Sequence, residues 1–201
     1  GASDPALTYT HGTLYNGDTD SVFTGSLTRA SGENVGTYAI SQGTLVAGSN
    51  YNIVFTGATF TITPRDLTVT TDPGTKIYGA SDPALTYTHG ALFNGDTDSV
   101  FTGSLARAPG ENVGTYAITQ GTLSAGGNYN IIFTGANFTI TPRDLTVTAD
   151  PKSKTYSPCC SDPALTYTHG PLYNGDTDSV FTGSLTRASG QNAGTYAISQ
   201  G

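Results

Sequence analysis

The chain has 201 residues and a formal net charge of −7, and only 11% of its residues are charged. The sequence has no run of 18 apolar residues, so we expect no membrane insertion in this segment. Its 8 lysine and arginine residues are scattered rather than clustered, which argues against a nucleic-acid interface.

The first notable element, residues 3–12, is a motif that the chain contains three times. The same residues, Ser-Asp-Pro-Ala-Leu-Thr-Tyr-Thr-His-Gly, recur at 81–90 and at 161–170. Residues 1–64 and 79–142 align without a gap and differ at nine positions. A repeat of this length indicates a small domain that is copied in tandem.

The repeat divides the chain into three modules. We predict a partial first copy (1–64) without its first strand, a complete middle copy (65–142) and a partial third copy (143–201) without its last strands. We expect these residues to be part of a longer array. A catalytic domain gains little from such faithful copying, so we do not expect an enzyme.

The middle copy contains short runs of alternating apolar and polar residues and no helical periodicity, which indicates β-strands. The dipeptide Asn94-Gly95 predicts a tight turn, since both residues tolerate positive φ. About seven strands are predicted, at 66–70, 76–78, 85–89, 100–105, 113–120 and 129–134 and around Phe138 and Ile140.

One stretch indicates the fold class more closely. Residues 112–118 resemble the part of immunoglobulin strand F in which a tyrosine hydroxyl caps a backbone corner, and they recur at 34–40 and 192–198. We therefore predict an all-β fold of tandem immunoglobulin-like β-sandwich modules of about 78 residues that form a rod, with β-grasp-like modules as the alternative.

The connection between copies is predicted to be short and stiff. A single proline, Pro142, separates the last strand of the middle copy from the next strand, and there is no Gly/Ser tether. Strands of the predicted length would make each module add roughly 30–40 Å to the rod.

Acidic pairs and histidines are the first candidates for chemistry. Asp96 and Asp98 have the spacing of a calcium loop but lack its downstream glutamate, so a turn capped by aspartates is the alternative and we expect no cofactor. The single histidine in each copy lacks convergent partners for a metal or catalytic site. The other acidic pairs are Asp18/Asp20 and Asp176/Asp178, and the histidines are His11, His89 and His169.

Cys159 and Cys160 are the only cysteines, and they form the candidate cross-linking site. A bridge to another chain or module, a vicinal disulfide and two thiols all remain open. Lys76 and Lys154 occupy equivalent positions, where either a solvated lysine or an amide cross-link to an asparagine is conceivable.

Several motifs in order resemble a known family. The segments 76–79, 81–87, 94–96, 102–105, 110–116 and 128–135 are similar to those of the bacterial MBG domain of the YGX type. The resemblance implies tandem modules in large secreted or surface-attached bacterial proteins, including adhesin-like ones, and it implies no catalytic residue and no fixed ligand. The third copy departs from the pattern, with Ser157, Pro158 and two cysteines after its tyrosine.

Two functions follow as expectations. The first is a structural array that forms the stalk or shaft of a bacterial surface adhesin or extracellular fibre, in which copies of the protein could pair by strand addition. The alternative is a set of glycan- or mucin-binding modules that act by avidity through Tyr15, Phe93 and Tyr173. Either function implies an extracellular or cell-surface location.

Overall fold

The computed structural model describes residues 2–157 and 160–201, and it confirms the all-β prediction. The helical pieces in these residues are three equivalent 3-10 turns, Asp20–Val22, Asp98–Val100 and Asp178–Val180. The several sheets of these residues are consistent with sandwich-like repeats. None of their helices is long and apolar enough to cross a bilayer.

The strands follow the repeat. In the first copy they are β1 (Phe23–Thr24), β2 (Thr28–Arg29), β3 (Gly36–Ser41), β4 (Val46–Ala47) and β5 (Ala58–Ile62). In the middle copy they are β6 (Arg65–Thr71), β7 (Gly74–Ile77), β8 (Tyr87–His89), β9 (Ala106–Arg107), β10 (Gly114–Thr119), β11 (Tyr129–Thr134) and β12 (Asn137–Thr141). In the third copy they are β13 (Val147–Ala149), β14 (Tyr167–His169), β15 (Leu185–Arg187) and β16 (Ile198–Gln200).

The middle copy shows how a complete module pairs its strands. Strand β6 lies between β11, which is parallel to it, and β8, which is antiparallel. Strand β12 lies between β7, which is parallel, and β10, which is antiparallel, and the end of β10 pairs with β9. The start of the module is therefore shared between two sheets, with β6 in one and β7 in the other.

The chain forms two compact units, and each has its own buried residues. The first unit comprises Gly1–Asp72, Leu85–Arg107 and Ile118–Ala136. Its core cluster contains Leu67 and Tyr129, and Val69 on the same face of β6 is fully buried. This face is buried because the apolar residues of β6 alternate with polar ones, as the period of a strand requires.

The second unit comprises Pro73–Ala84, Ala108–Ala117 and Asn137–Gly201. Phe138 and Ile140 of β12 are buried in it, with 0% and 1% of their surface exposed. The ring of Phe138 occupies the space into which a side chain at Gly74 would project, which explains why the paired strand β7 begins with glycine.

The predicted strand at 100–105 is wrong. A 3-10 turn ends at Val100, Thr102 forms a single bridge to Ser124, and the strand begins only at Ala106. Gly103 has a φ of +76° and lies directly against the backbone of Thr122, so the extended conformation is interrupted there.

The predicted tyrosine corner is present in every copy. The Tyr116 hydroxyl donates a 2.7 Å hydrogen bond to the backbone carbonyl of Asn112. The equivalent bonds, from Tyr38 to Asn34 and from Tyr196 to Asn192, are 2.6 and 2.8 Å long. Each bond closes the loop that precedes the strand, so these tyrosines have a structural role.

Replacing Tyr116 by phenylalanine is expected to lower the free energy of unfolding by about 1 kcal/mol, because the Asn112 carbonyl loses its donor. Urea denaturation measures the change. Tyr156→Phe is the matched control, since Tyr156 is 71% exposed and its substitution should leave the midpoint unchanged. Equal effects of the two substitutions would argue against the tyrosine corner as a stabilising contact.

Candidate functional site: the joints between the repeats

The joint between the middle and third copies is built around Arg143. This residue follows Pro142 directly, two residues after the end of β12, and the next strand begins only at Val147, so the connection is longer than the single proline that the sequence predicted. Its guanidinium lies 4.1 Å from the centre of the Tyr173 ring, and its Nε donates a 2.6 Å hydrogen bond to the backbone carbonyl of Tyr78. One arginine therefore contacts an aromatic ring of the third copy and the backbone of the middle copy.

Tyr78 and Gly79 of the middle copy complete this joint. The Tyr78 hydroxyl donates a 2.9 Å hydrogen bond to Oδ2 of Asp176, and this bond raises the pKa of Tyr78 above its usual value. Gly79 has a φ of +78°, and a Cβ at this position would lie 2.5 Å from the Cβ of Tyr173. The dipeptide is thus fitted closely against the following copy.

The joint between the first and middle copies uses different residues. Oδ1 of Asn128 accepts a 2.9 Å hydrogen bond from the backbone of Val35, and its Nδ2 donates a 3.0 Å bond to Oδ1 of Asn34. The backbone carbonyl of the same Asn128 accepts a bond from Arg65, the first residue of β6. One asparagine therefore ties the start of the middle copy to the loop that contains the first tyrosine corner.

A lysine in the middle copy is buried between two carboxylates rather than solvated. Nζ of Lys76 lies 2.6 Å from Oδ1 of Asp82 and 2.5 Å from Oε2 of Glu111, and only 4% of its side chain is exposed. The hydrogen bonds to Asp82 and then Glu111 raise the pKa of Lys76 above its usual value. The solvated alternative for this lysine was therefore wrong, because the residue forms buried ion pairs with two loops, and the amide cross-link to an asparagine stays a prediction.

The same cluster varies between copies in a way that fits a structural role. In the third copy, Nζ of Lys154 lies 2.5 Å from Asp162 and donates a 2.8 Å hydrogen bond to the amide oxygen of Gln191. In the first copy, Arg29 pairs with Asp4 and Glu33. A glutamine can replace the glutamate because an amide oxygen also accepts the lysine's hydrogen bond.

The two aspartates of each candidate calcium loop bind different side chains. Oδ2 of Asp96 accepts a 2.8 Å hydrogen bond from the Tyr129 hydroxyl, whereas Oδ1 of Asp98 lies 3.1 Å from Nε2 of His89. Among residues 2–157 and 160–201, no group of three or more histidine, cysteine, aspartate or glutamate residues is arranged to hold a metal ion. The aspartates of the acidic pairs thus contact a tyrosine and a histidine, and the choice between a calcium loop and a capped turn stays open.

His11 has hydrogen-bond acceptors at both ring nitrogens. Nδ1 lies 2.6 Å from the carbonyl oxygen of Gly12, and Nε2 lies 3.0 Å from Oδ1 of Asp20. Only the imidazolium can donate to both acceptors. The hydrogen bond to Gly12 raises the pKa of His11 above its ordinary value of 6.5. The contact with Asp20 also raises this pKa, whereas burial lowers it.

The His11 ring is expected to titrate with a midpoint above about 6.5, and Asp20→Asn should lower that midpoint. NMR chemical shifts of the ring protons measure both. Because the pKa in the folded state is raised, the stabilisation from this contact is complete below about pH 6.5 and is lost as the pH rises through the folded-state pKa. A midpoint that Asp20→Asn leaves unchanged would show that the carboxylate has no effect on the ring.

Of the two cysteines, Cys159 lies outside the described residues. Cys160 is exposed, and its Sγ lies 3.7 Å from Oγ of Ser157. The prediction of a disulfide or cross-link at these cysteines stays open.

Arginines cover two of the three aromatic rings considered for glycan binding. The guanidinium of Arg65 lies 3.9 Å from the centre of the Phe93 ring, just as Arg143 lies over Tyr173. Tyr15 is 67% exposed. A sugar that stacks on the same face of Phe93 or Tyr173 would have to displace the arginine.

Comparison with known families agrees with the repeat seen in the sequence. The MBG domain (YGX type) matches residues 1–61, 67–139 and 145–201. The chain belongs to the MBG domain family of the YGX type. No curated protein and no solved structure matches the chain significantly.

The joint uses residues that lie within the matched segment 67–139. Tyr78, Gly79 and Ala80 fit the Tyr-Gly-X of this MBG domain type, and the first two of them contact the third copy. The third MBG domain has Ser157 after its tyrosine instead of glycine. The contacts made by Tyr78 and Gly79 could not have been found from the sequence, because their partners lie more than 90 positions further along the chain.

Proposed function

We propose that the chain is part of a structural repeat array that forms the stalk or shaft of a bacterial surface adhesin or extracellular fibre. The observation that carries this proposal is the threefold MBG domain repeat. Such repeats suggest an extracellular array protein, and joints of two residues (63–64) and five residues (142–146) without a Gly/Ser tether suit an element whose role is reach. Enzymatic activity is not part of this proposal.

The location can be tested on intact cells that produce the protein. Immunogold electron microscopy with an antibody against the middle copy should label material outside the cell envelope. Protease treatment of intact cells should remove the label, and permeabilised cells are the control for antibody access. Label confined to the cytoplasm would contradict the proposal.

A second candidate function is glycan or mucin binding by avidity, through the equivalent aromatic residues Tyr15, Phe93 and Tyr173. A glycan array probed with the chain and with Tyr15→Ala distinguishes the two functions. Saturable binding that Tyr15→Ala removes would support the binding module, and absence of binding would leave the structural role as the better proposal.

A further inference from the structure

The first and last segments of the middle copy pair with each other directly. Residues 65–70 of β6, its first strand, pair in parallel with residues 129–134 of β11. Residues 74–77 of β7 pair in parallel with residues 138–141 of β12, the last strand of the copy. Every pair in the two ladders joins residues that are 64 positions apart, so each ladder ties the start of the copy to its end.

Backbone hydrogen bonds extend the two ladders at the points where the chain enters and leaves the copy. The N–H of Arg65 donates a 3.0 Å hydrogen bond to the carbonyl of Asn128, just before β11. The N–H of Tyr78, just after β7, donates a 2.9 Å hydrogen bond to the carbonyl of Thr141. The first residue of β6 and the last residue of β12 are therefore both held by the strand beside them.

Side chains also join the paired strands. Nδ2 of Asn130 on β11 donates a 2.8 Å hydrogen bond to Oδ1 of Asp66 on β6. Oγ1 of Thr141 on β12 donates a 3.3 Å hydrogen bond to the backbone carbonyl of Lys76 on β7. Each ladder thus has a side-chain contact in addition to its backbone pairing.

The direction of the strands decides how tension along the chain acts on these ladders. Tension enters the middle copy ahead of Arg65, at the start of β6, while β11 is pulled through the chain at its end, Thr134. Because the two strands are parallel, they are loaded at opposite ends and the six pairs between them are sheared together. The four pairs between β7 and β12 are loaded in the same way, from Gly74 and from Thr141.

An antiparallel pairing of the first and last strands would behave differently. Both strands would then be loaded at the same end, so their hydrogen bonds would open one at a time. Shear requires several hydrogen bonds to break in the same step, which raises the barrier to unfolding. Since forced unfolding is governed by the unfolding rate, the parallel arrangement slows unfolding under tension.

We propose that the two ladders form a mechanical clamp that allows the complete MBG domain to bear tension along the array. The clamp consists of residues 65–70 with 129–134 and of residues 74–77 with 138–141. The inference goes beyond the proposed function, because resistance to pulling belongs to the folded copy wherever the protein is located. The outcome of the location experiment therefore does not affect it.

Single-molecule force spectroscopy of the 201-residue chain tests the clamp by changing only the points of attachment. Cys159 and Cys160 are replaced by serine, and DNA handles are attached at Thr63→Cys and Asp144→Cys, on either side of the middle copy. A second protein has its handles at Thr63→Cys and Gly127→Cys, which precede β6 and β11 at the same end of their ladder. All three attachment positions are exposed, and a side chain at Gly127 would meet nothing within 4 Å.

At equal force, unfolding from positions 63 and 144 should be about 10-fold or more slower than opening from positions 63 and 127, because shear breaks several hydrogen bonds in one step. The slow event should lengthen the chain by about 220–250 Å, the extended length of one copy less its folded length. Equal rates for the two attachments would overturn the proposal. Unfolding from positions 63 and 144 in small successive steps would overturn it as well.

A matched pair of variants tests the ladder contacts with the handles kept at positions 63 and 144. Asn130→Ala removes the side-chain hydrogen bond to Asp66 and should raise the unfolding rate at a given force by about 2- to 5-fold. Asn137→Ala is the control, since Asn137 is exposed and pairs with Ala117 of β10, outside both ladders. Its substitution should leave the rate unchanged. The same rate for both variants would show that contacts across the ladder do not limit unfolding, which contradicts the clamp.

Discussion

Replacing Leu67 by alanine is expected to destabilise the protein by about 2–5 kcal/mol, because the substitution leaves a cavity in a close-packed core. Leu67 is 2% exposed and belongs to the core cluster with Ala125 and Tyr129. The free energy is measured by urea denaturation followed by circular dichroism. Hydrogen exchange of the β6 and β11 amides shows whether the loss occurs in the middle copy.

The matched control for this substitution is Leu145→Ala. Leu145 lies in the same six-residue sequence but is 39% exposed, so its truncation should cost about 1 kcal/mol or less. The comparison separates the effect of burial from that of local sequence, which is identical at the two positions. Equal losses for the two leucines would contradict the difference in burial between the middle and third copies.

Arg143→Ala is expected to weaken the joint between the middle and third copies by about 1–3 kcal/mol, through loss of the stack on Tyr173 and of the hydrogen bond to Tyr78. The amides of β14 should then exchange about 5- to 150-fold faster, as measured by hydrogen-exchange mass spectrometry. The stability of β6 and β11 should not change, because they lie outside this joint.

Lys152→Ala is the control for the Arg143 substitution. It removes an exposed positive charge from the same copy. Exchange in β14 should stay at the level of the unaltered protein, since surface substitutions have small effects. If Arg143→Ala and Lys152→Ala had the same effect, the joint would not depend on the contacts of the arginine.

Local patterns in the sequence were sufficient for much of the fold. The alternation in residues 129–134 predicted β11 with its observed bounds, and the prediction at 66–70 lies within β6. Asn94 and Gly95 have φ values of 56° and 80°, as a tight turn of this sequence requires. Strand alternation and turn conformation depend on residues that are close together in the chain, so both can be predicted from one sequence.

Features that depend on distant residues could not be predicted. The parallel pairing of β6 with β11 joins segments 64 positions apart, and nothing in either segment specifies the other. Lys76 carries a charge, which predicts exposure, yet carboxylates from two later loops allow its burial. At the joint, Pro142 predicted a short connection, but the ring under Arg143 could be identified only from the structure.

The central claim is that MBG domains follow one another end to end so that the array gains length. Small-angle scattering coupled to size-exclusion chromatography, which isolates the monomer, tests this claim most directly. Three modules of roughly 30–40 Å each predict a radius of gyration of about 26–35 Å for a thin rod. A value of about 16–17 Å, which is expected for a compact globule of this length, would contradict the account.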